Sequence, residues 1–261
     1  MRIEFLTQDD PLYVLPFFDE FARHYALEFQ ILQIATSPVM GNRSRSQMIK
    51  ELTQLYGPVG MARLTARLAG ARILGTLPKK AGASRYSTLP QLCRAYRIPH
   101  EKIGNPNASE FVEAFRRRGA DLLVSVACPY ILKVPLLTIA PKGAINIHHA
   151  PLPRYKGMMP TFWQMFHGEK NVGLTIHSMS AKIDEGETLL QDEQAIEPGE
   201  SLDHLIQRSK RHGAHCMARA LRQINEGTAE PVALDHSKSS YFTFPTSAEI
   251  KEFHFRGLRS I

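Results

Sequence analysis

At 261 residues, with 43% hydrophobic and 22% charged side chains, the chain has the composition of a globular protein that can bury a sizeable core. No run approaches the ~20 apolar residues of a membrane span, and the N-terminus MRIEFLTQDD lacks the apolar stretch of a signal peptide. Three widely spaced cysteines, Cys93, Cys128 and Cys216, argue against a disulfide framework or a CxxC metal site, so a cytoplasmic protein without a metal is expected.

The net charge of +7 is uneven. Residues 41–85 hold nine basic side chains (Arg43, Arg45, Lys50, Arg63, Arg67, Arg72, Lys79, Lys80 and Arg85) against Glu51 alone, and therefore carry the whole excess. A field of that sign favours anionic partners, although a solvated basic face accounts for it equally well.

In chain order, Arg2–Thr7 is an apolar strand candidate, followed by a helix whose first turn can hold Pro11 and whose apolar face is Leu12, Leu15, Phe18 and Phe21. Phe29–Ala35 predicts a second strand. Residues 44–74 predict helix, divided at Gly57-Pro58. The stripe Met61, Leu64, Leu68 and Ala71, with Arg63 and Arg67 beside it, suits packing on the protein's own core or a partner better than a membrane surface. A helix over Leu89–Arg97 and a brief strand near Ile98–Ile103 follow. Asn107 is a candidate N-cap, with Glu110 at capping-box spacing, for a helix through Arg118.

The run DLLVSVA, Asp121–Ala127, is nearly all apolar, as a buried parallel strand is. Ala144–His148 predicts the next strand, Thr161–Phe166 a short helix, Val172–Met179 and Glu187–Gln191 two strands, and Leu202–Ile224 a long helix. This alternation predicts an α/β domain, a mainly parallel twisted sheet flanked by helices, over residues 1–227 with a basic helical insertion at 41–85. Residues 228–261 read as a C-terminal extension. Its aromatics suit a core edge or a dimer contact, and Thr246 with Glu249 forms a capping box.

The segment AINIHHAPLPRYKG, residues 144–157, raises the chemical question. Its strand carries Asn146 and His148 on one face, and ligands of an open parallel sheet bind beyond the carboxyl ends of its strands. The polar loop Lys182-Ile183-Asp184-Glu185-Gly186 can bring a carboxylate to the same place. An amide donor, a titratable ring and a carboxylate suit a reaction with an oxyanion intermediate and a proton to move, although a core histidine with a structural asparagine also fits these residues.

INIHHAPLPRYKG followed by GLTIHSMSAKIDEGETLLQ resembles the signature of the formyltetrahydrofolate-dependent formyltransferases. That pattern is Asn-x-His on a strand, Leu-Pro-x-aromatic-x-Gly, Gly-x-Thr and Asp-x-Gly. It is met here by Asn146 and His148, Leu152 to Gly157, Gly173 and Thr175, and Asp184 and Gly186. The resemblance implies a Rossmann-like fold and N10-formyltetrahydrofolate as co-substrate. It implies that Asn146 and His148 stabilise and protonate the oxyanion, while Asp184 positions His148 or a water and helps accept the amine's proton. It further implies a pteridine pocket between Cys128, Pro129, Tyr130, Ile131 and Leu132 on one side and Ser180, Ala181, Lys182 and Ile183 on the other. His149 stands where several relatives have Pro or Gly, and the His-His pair is similar to the formyltetrahydrofolate hydrolase branch.

For the acceptor, Thr7-Gln8-Asp9-Asp10-Pro11 offers no glycine-rich phosphate cradle, which disfavours glycinamide ribonucleotide. The residues after Gly227 are too few for the C-terminal barrel of methionyl-tRNA formyltransferases. The expectation is a nucleotide-linked amino sugar, with Gln8, Asp9, Asp10, Arg154 and Lys156 as acceptor-side candidates, in a homodimer that needs no nucleic acid. The alternatives are hydrolysis, another amine including methionyl-tRNA, and a folate- or nucleic-acid-binding protein on a degenerate scaffold.

Overall fold

The computed structural model describes residues 1–38, 44–181 and 183–261, so Lys182 and residues 39–43, which include the start of the basic segment, lie outside the described residues. A seven-stranded sheet runs β3 (His100–Lys102), β2 (Gln30–Ser37), β1 (Arg2–Gln8), β4 (Leu122–Val126), β5 (Ala144–His148), β7 (Asn171–Ser178), β8 (Thr188–Ala195). The first five are mutually parallel, and β7 and β8 continue the sheet antiparallel. From β1 the chain winds outward to β2 and β3, then returns to β4 and proceeds the other way. That reversal makes the carboxyl ends of β1 and β4 the topological switch point, with β5 beside it.

β4 is buried along its whole length because both faces are covered. On one face Ile3, Phe5, Val124, Ile145 and Ile147 meet α1 (Leu15–Tyr25), α3 (Leu89–Tyr96) and α7 (Leu202–Glu226). Three helix phenylalanines, Phe17, Phe18 and Phe21, surround Phe5 with ring centroids 5.3–6.3 Å away. On the other face Leu6, Leu123 and Ala144 meet α4 (Ser109–Arg118) and α5 (Val134–Leu137) through Phe111, Phe115 and Leu136. Because β-strand side chains alternate, Asn146 and His148 share the face of Ala144, and His149 shares that of Ile147.

Two expectations are corrected here. Pro11 lies in a turn, not in a helix; α1 begins at Leu15, and Pro16 occupies its first turn. Asn107 caps nothing: α4 has Ala108 as N-cap without a side-chain bond. Asn107 instead donates to the Ile131 carbonyl and accepts from Lys133 N–H, pinning the loop after β4. A side chain two residues before a helix can serve a distant loop as well as its own helix, and local spacing does not distinguish the two.

The basic segment is α2 (Arg45–Leu74), broken at Gly57, where φ 66° and ψ 174° leave the helical region just before Pro58. Leu55, Tyr56 and Leu64 pack into a second core with α6 (Pro160–Phe166) and α8 (Ser247–Phe255). Met61 and Leu64 of the apolar stripe thus face the protein's own core. The C-terminal extension is part of that core: Phe253 is fully buried and stacks on Phe162, and Ser260 Oγ donates to the Leu55 carbonyl. The capping box of Thr246 and Glu249 is formed. Among the described residues no helix is long and apolar enough to cross a membrane.

Candidate active site

The antiparallel register of β5 and β7 sets Asn146 opposite His177 and His148 opposite Thr175. His177 Nδ1 faces the Ser178 carbonyl at 2.9 Å, and a carbonyl can only accept, so Nδ1 carries the proton. The Nε2 lone pair then receives Asn146 Nδ2–H at 3.2 Å. Burial holds His177 below the usual histidine range, with the Asp184 carboxylate opposing it, which keeps that neutral tautomer. One amide N–H of Asn146 is thereby engaged and the amide plane is fixed, leaving its second N–H for a ligand.

His148 is 7% exposed and donates Nε2–H to the Tyr155 carbonyl at 2.8 Å. Its Nδ1 stands 3.6 Å from Asp184 Oδ2, and His177 Nε2 stands 3.7 Å from Asp184 Oδ1. Asp184 belongs to the β7–β8 loop, which leaves the sheet beside Ala144 and folds back over the Asn146 face. Gly157 N–H donates to its Oδ2 at 3.2 Å. Gly186 permits the fold-back: a Cβ there would meet the Ser178 carbonyl oxygen at 1.6 Å. Tyr155, Met159 and Asp184 all have φ between 50° and 59°. Such left-handed residues cost roughly 1–2 kcal/mol each and cluster at sites the surrounding structure over-determines.

The proline-rich loop is held from two sides. Thr175 Oγ1 donates to the Ala150 carbonyl and accepts from Leu152 N–H, while Gln191 Nε2 donates to the Leu152 carbonyl. Gly173 is required because a Cβ would sit 2.7 Å from the Pro151 ring. This explains the Gly-x-Thr spacing. From the other side, β6 (Lys156–Gly157) pairs in parallel with β9 (Tyr241–Phe242) of the C-terminal extension. Phe242 stacks on Trp163 and Tyr155, centroids 4.6 and 5.6 Å away. The extension therefore buttresses the loop that carries His148's acceptor.

The remaining expected residues fall into groups. Cys128, Tyr130 and Met179 each pack against the α4–α5 core. Leu132 is buried in that core, whereas Ile131 is exposed, as are Ser180, Ala181 and Ile183. Pro129, between Cys128 and Tyr130, lies in the same loop, and Gln8 ends β1. Four of the five acceptor-side candidates are already engaged. Asp9 pairs with Lys102 at 3.1 Å, and Asp10 accepts from Leu12 and Tyr13 N–H, closing a turn. Arg154 pairs with Glu169 at 2.8 Å, and the buried Lys156 with Glu185 at 3.3 Å. Asn146, His148, His177 and Asp184 do not line the cleft of about 460 Å³ that opens near Pro151, Arg154, Glu169 and Gln191.

His177 is the site residue that the sequence reading missed. Its one signal was parity with Gly173 and Thr175 on a strand; its partner depends on a register that the sequence does not display. His149 faces α7, with Gln164 donating to its carbonyl and Gly213 close against its ring, so the His-His pair does not put two imidazoles at one site.

Comparison with known proteins bears on the family and the fold. The family model described as formyl transferase matches residues 73–221. A methionyl-tRNA formyltransferase of Pelobacter propionicus is 34% identical over 178 residues, 66% of this chain and 56% of its own length. This chain thus spans about half the length of that curated relative. Among solved structures, a sugar N-formyltransferase from Shewanella sp FDAARGOS_354 superposes with a TM-score of 0.57 at 18% identity, covering 93% of this chain and 76% of its own. The N-formyltransferase of Helicobacter canadensis, solved with folinic acid and dTDP-3-aminofucose, gives a TM-score of 0.57 at 16% identity, covering 99% and 83%. The likeness of fold extends over nearly the whole chain, and the family model spans more than half of it: this chain belongs to the formyl transferase family.

Proposed function

We propose that this chain transfers the formyl group of N10-formyltetrahydrofolate to the primary amine of a small anionic acceptor, a nucleotide-linked amino sugar. The observation that carries the reading is the convergence of Asn146, His148 and Asp184 on one sheet face, with His148 Nδ1 3.6 Å from Asp184 Oδ2. In this mechanism the amine nitrogen bonds to the formyl carbon, and the carbonyl oxygen takes up negative charge. The free N–H of Asn146 and the ring of His148, donating from Nδ1 once protonated there, stabilise that oxyanion. Asp184 receives the amine's proton directly or through a water, and a proton returns to N10 as its bond to the formyl carbon breaks. The folate ring would lie between the loops at 128–132 and 180–183; Cys128 and Tyr130 of the first loop and Met179, just before the second, pack against the same core, which supports this reading.

The amino-sugar acceptor is supported by the cationic α2 and by folds that include sugar N-formyltransferases. A second reading, methionyl-tRNA as acceptor, is favoured by the 34% identity to a methionyl-tRNA formyltransferase. Either acceptor presents an amine tethered to phosphates. The test supplies N10-formyltetrahydrofolate with dTDP- and UDP-linked amino sugars or with methionyl-tRNA, and follows tetrahydrofolate and formylated product. Formylation of an amino-sugar nucleotide supports the first reading. Formylation of methionyl-tRNA alone, with steep salt dependence, replaces it with the second. Formate release at the full rate without any amine would overturn both.

A further inference from the structure

On the opposite face from the candidate active site, α7 and β8 bring together Cys216, His212 and Asp192. Cys216 Sγ lies 3.6 Å from His212 Nε2 and 3.6 Å from Asp192 Oδ2, and His212 Nε2 lies 3.7 Å from Asp192 Oδ1. His212 and Cys216 are one helical turn apart on α7, and Asp192 opposes Leu174 in the sheet register. Zinc bonds of ~2.3 Å to sulfur and ~2.0–2.2 Å to nitrogen or oxygen place tetrahedral ligands about 3.3–3.6 Å from one another. The three pairs come close to that separation before any ion enters, with Cys216 against Oδ2 of Asp192 and His212 against Oδ1. Cys216 is buried at 1% exposure, whereas the His212 and Asp192 side chains are roughly a quarter exposed, so an ion has a path from solvent and room for a water as fourth ligand.

We propose that Asp192, His212 and Cys216 form a binding site for a zinc-class divalent transition metal that ties β8 to α7. The site stands apart from the formyl-transfer reading and needs none of its residues. On binding, the Cys216 thiol proton leaves to solvent, and Sγ, His212 Nε2 and the Asp192 carboxylate coordinate the ion. The nearest competitor is Arg219, whose guanidinium lies 2.6 Å from Asp192 Oδ2; its side chain is more than half exposed and can turn outward. The donor set of soft thiolate, imidazole and carboxylate selects zinc or cobalt over magnesium or calcium.

The test uses the whole protein, freed of metal, with Co(II) alone as probe. The expected result is one equivalent of Co(II) bound, with tetrahedral visible bands and a near-ultraviolet thiolate-to-cobalt band that Zn(II) bleaches. The thiolate band should vanish in Cys216→Ser, and affinity should fall at least tenfold in His212→Gln, which is exposed enough to leave folding intact. Arg219→Gln should tighten binding by removing the competitor. Zinc at a hundredfold excess over its Kd should raise Tm by roughly 5–10 °C. Absence of a thiolate band in the folded wild-type protein, or its persistence in Cys216→Ser through Cys93 or Cys128, overturns the proposal. Weaker cobalt binding in Arg219→Gln overturns it as well.

Discussion

Asn146 Nδ2 and His177 Nε2 lie 3.2 Å apart as a directly opposed pair across β5 and β7. Since His177 keeps its proton on the far nitrogen, facing the Ser178 carbonyl, it can accept only the nitrogen end of the asparagine amide. This pair therefore decides which end of Asn146 a formyl oxygen would meet.

Replacing His177 with Ala frees that amide to rotate. We expect kcat to fall about 10²-fold, the scale of a misplaced catalytic group, with the KM for the folate little changed. A His177→Ala enzyme with wild-type kcat would remove the positioning role.

Asn146→Ala removes the donor itself and should cost about 10²–10³ in kcat. His148→Ala and Asp184→Asn should each abolish most transfer while folate binding, read by fluorescence quenching or calorimetry, survives. The double variant Asn146→Ala with His177→Ala should lose little more than Asn146→Ala alone, because both act through one amide. Additive losses would contradict that coupling.

Gly157 has φ 93°, and a Cβ on it would approach the Phe242 carbonyl oxygen to 2.3 Å. Gly157→Ala must therefore part β6 from β9 or distort the loop, at a cost of about 1–3 kcal/mol. A Tm drop of roughly 2–12 °C is expected, together with reduced kcat, since the same loop supplies the Tyr155 carbonyl to His148. Phe242→Ala should give the same paired loss through the missing stack on Trp163 and Tyr155, although Phe242 lies far along the chain from both. Lower Tm with unchanged kcat would separate the extension from the site.

Burial holds His149 well below the usual value of 6.5 with Lys210, His148 and His212 adding repulsion, so the ring is neutral when folded. The sign follows from proton counts: below about pH 6.5 the unfolded chain binds a proton that the folded chain refuses, so stability falls as pH drops through that range. His149→Leu should flatten the acid limb of a Tm-against-pH curve. Formyl transfer should stay within a few-fold of wild type, because the ring faces α7. A collapse of transfer in a folded His149→Leu protein would instead restore the weight of the His-His resemblance.

Local pattern sufficed for several elements. The strand Ala144–His148 was legible because its alternation is unbroken, and β4 because five consecutive buried positions leave little choice but a strand covered on both faces. The break at Gly57-Pro58 and the Thr246–Glu249 capping box were legible because each is a short-range device complete within a few residues. The pairing of Asn146 and His148 on one face, with Asp184 as a carboxylate in reach, likewise follows from period-2 geometry and ordered motifs.

Other features are decided by contacts between residues far apart in the chain. The sequence marks β7 as a strand, but its antiparallel direction, and hence the facing of Asn146 and His177, depends on how the chain closes the sheet edge. Asn107 reads as a helix cap by spacing, yet the loop at 131–133 offered it a better set of partners. Residues 228–261 read as an extension whose aromatics suit a core edge or a dimer contact, and which core they meet is decided by β9 pairing with β6 and Phe253 stacking on Phe162. Sequence alone determined which residue types stand on which face of which strand, because alternation and turn chemistry are local. Only the tertiary structure decided which faces meet, because pairing register and core packing are set by the free energy of burying the whole chain at once.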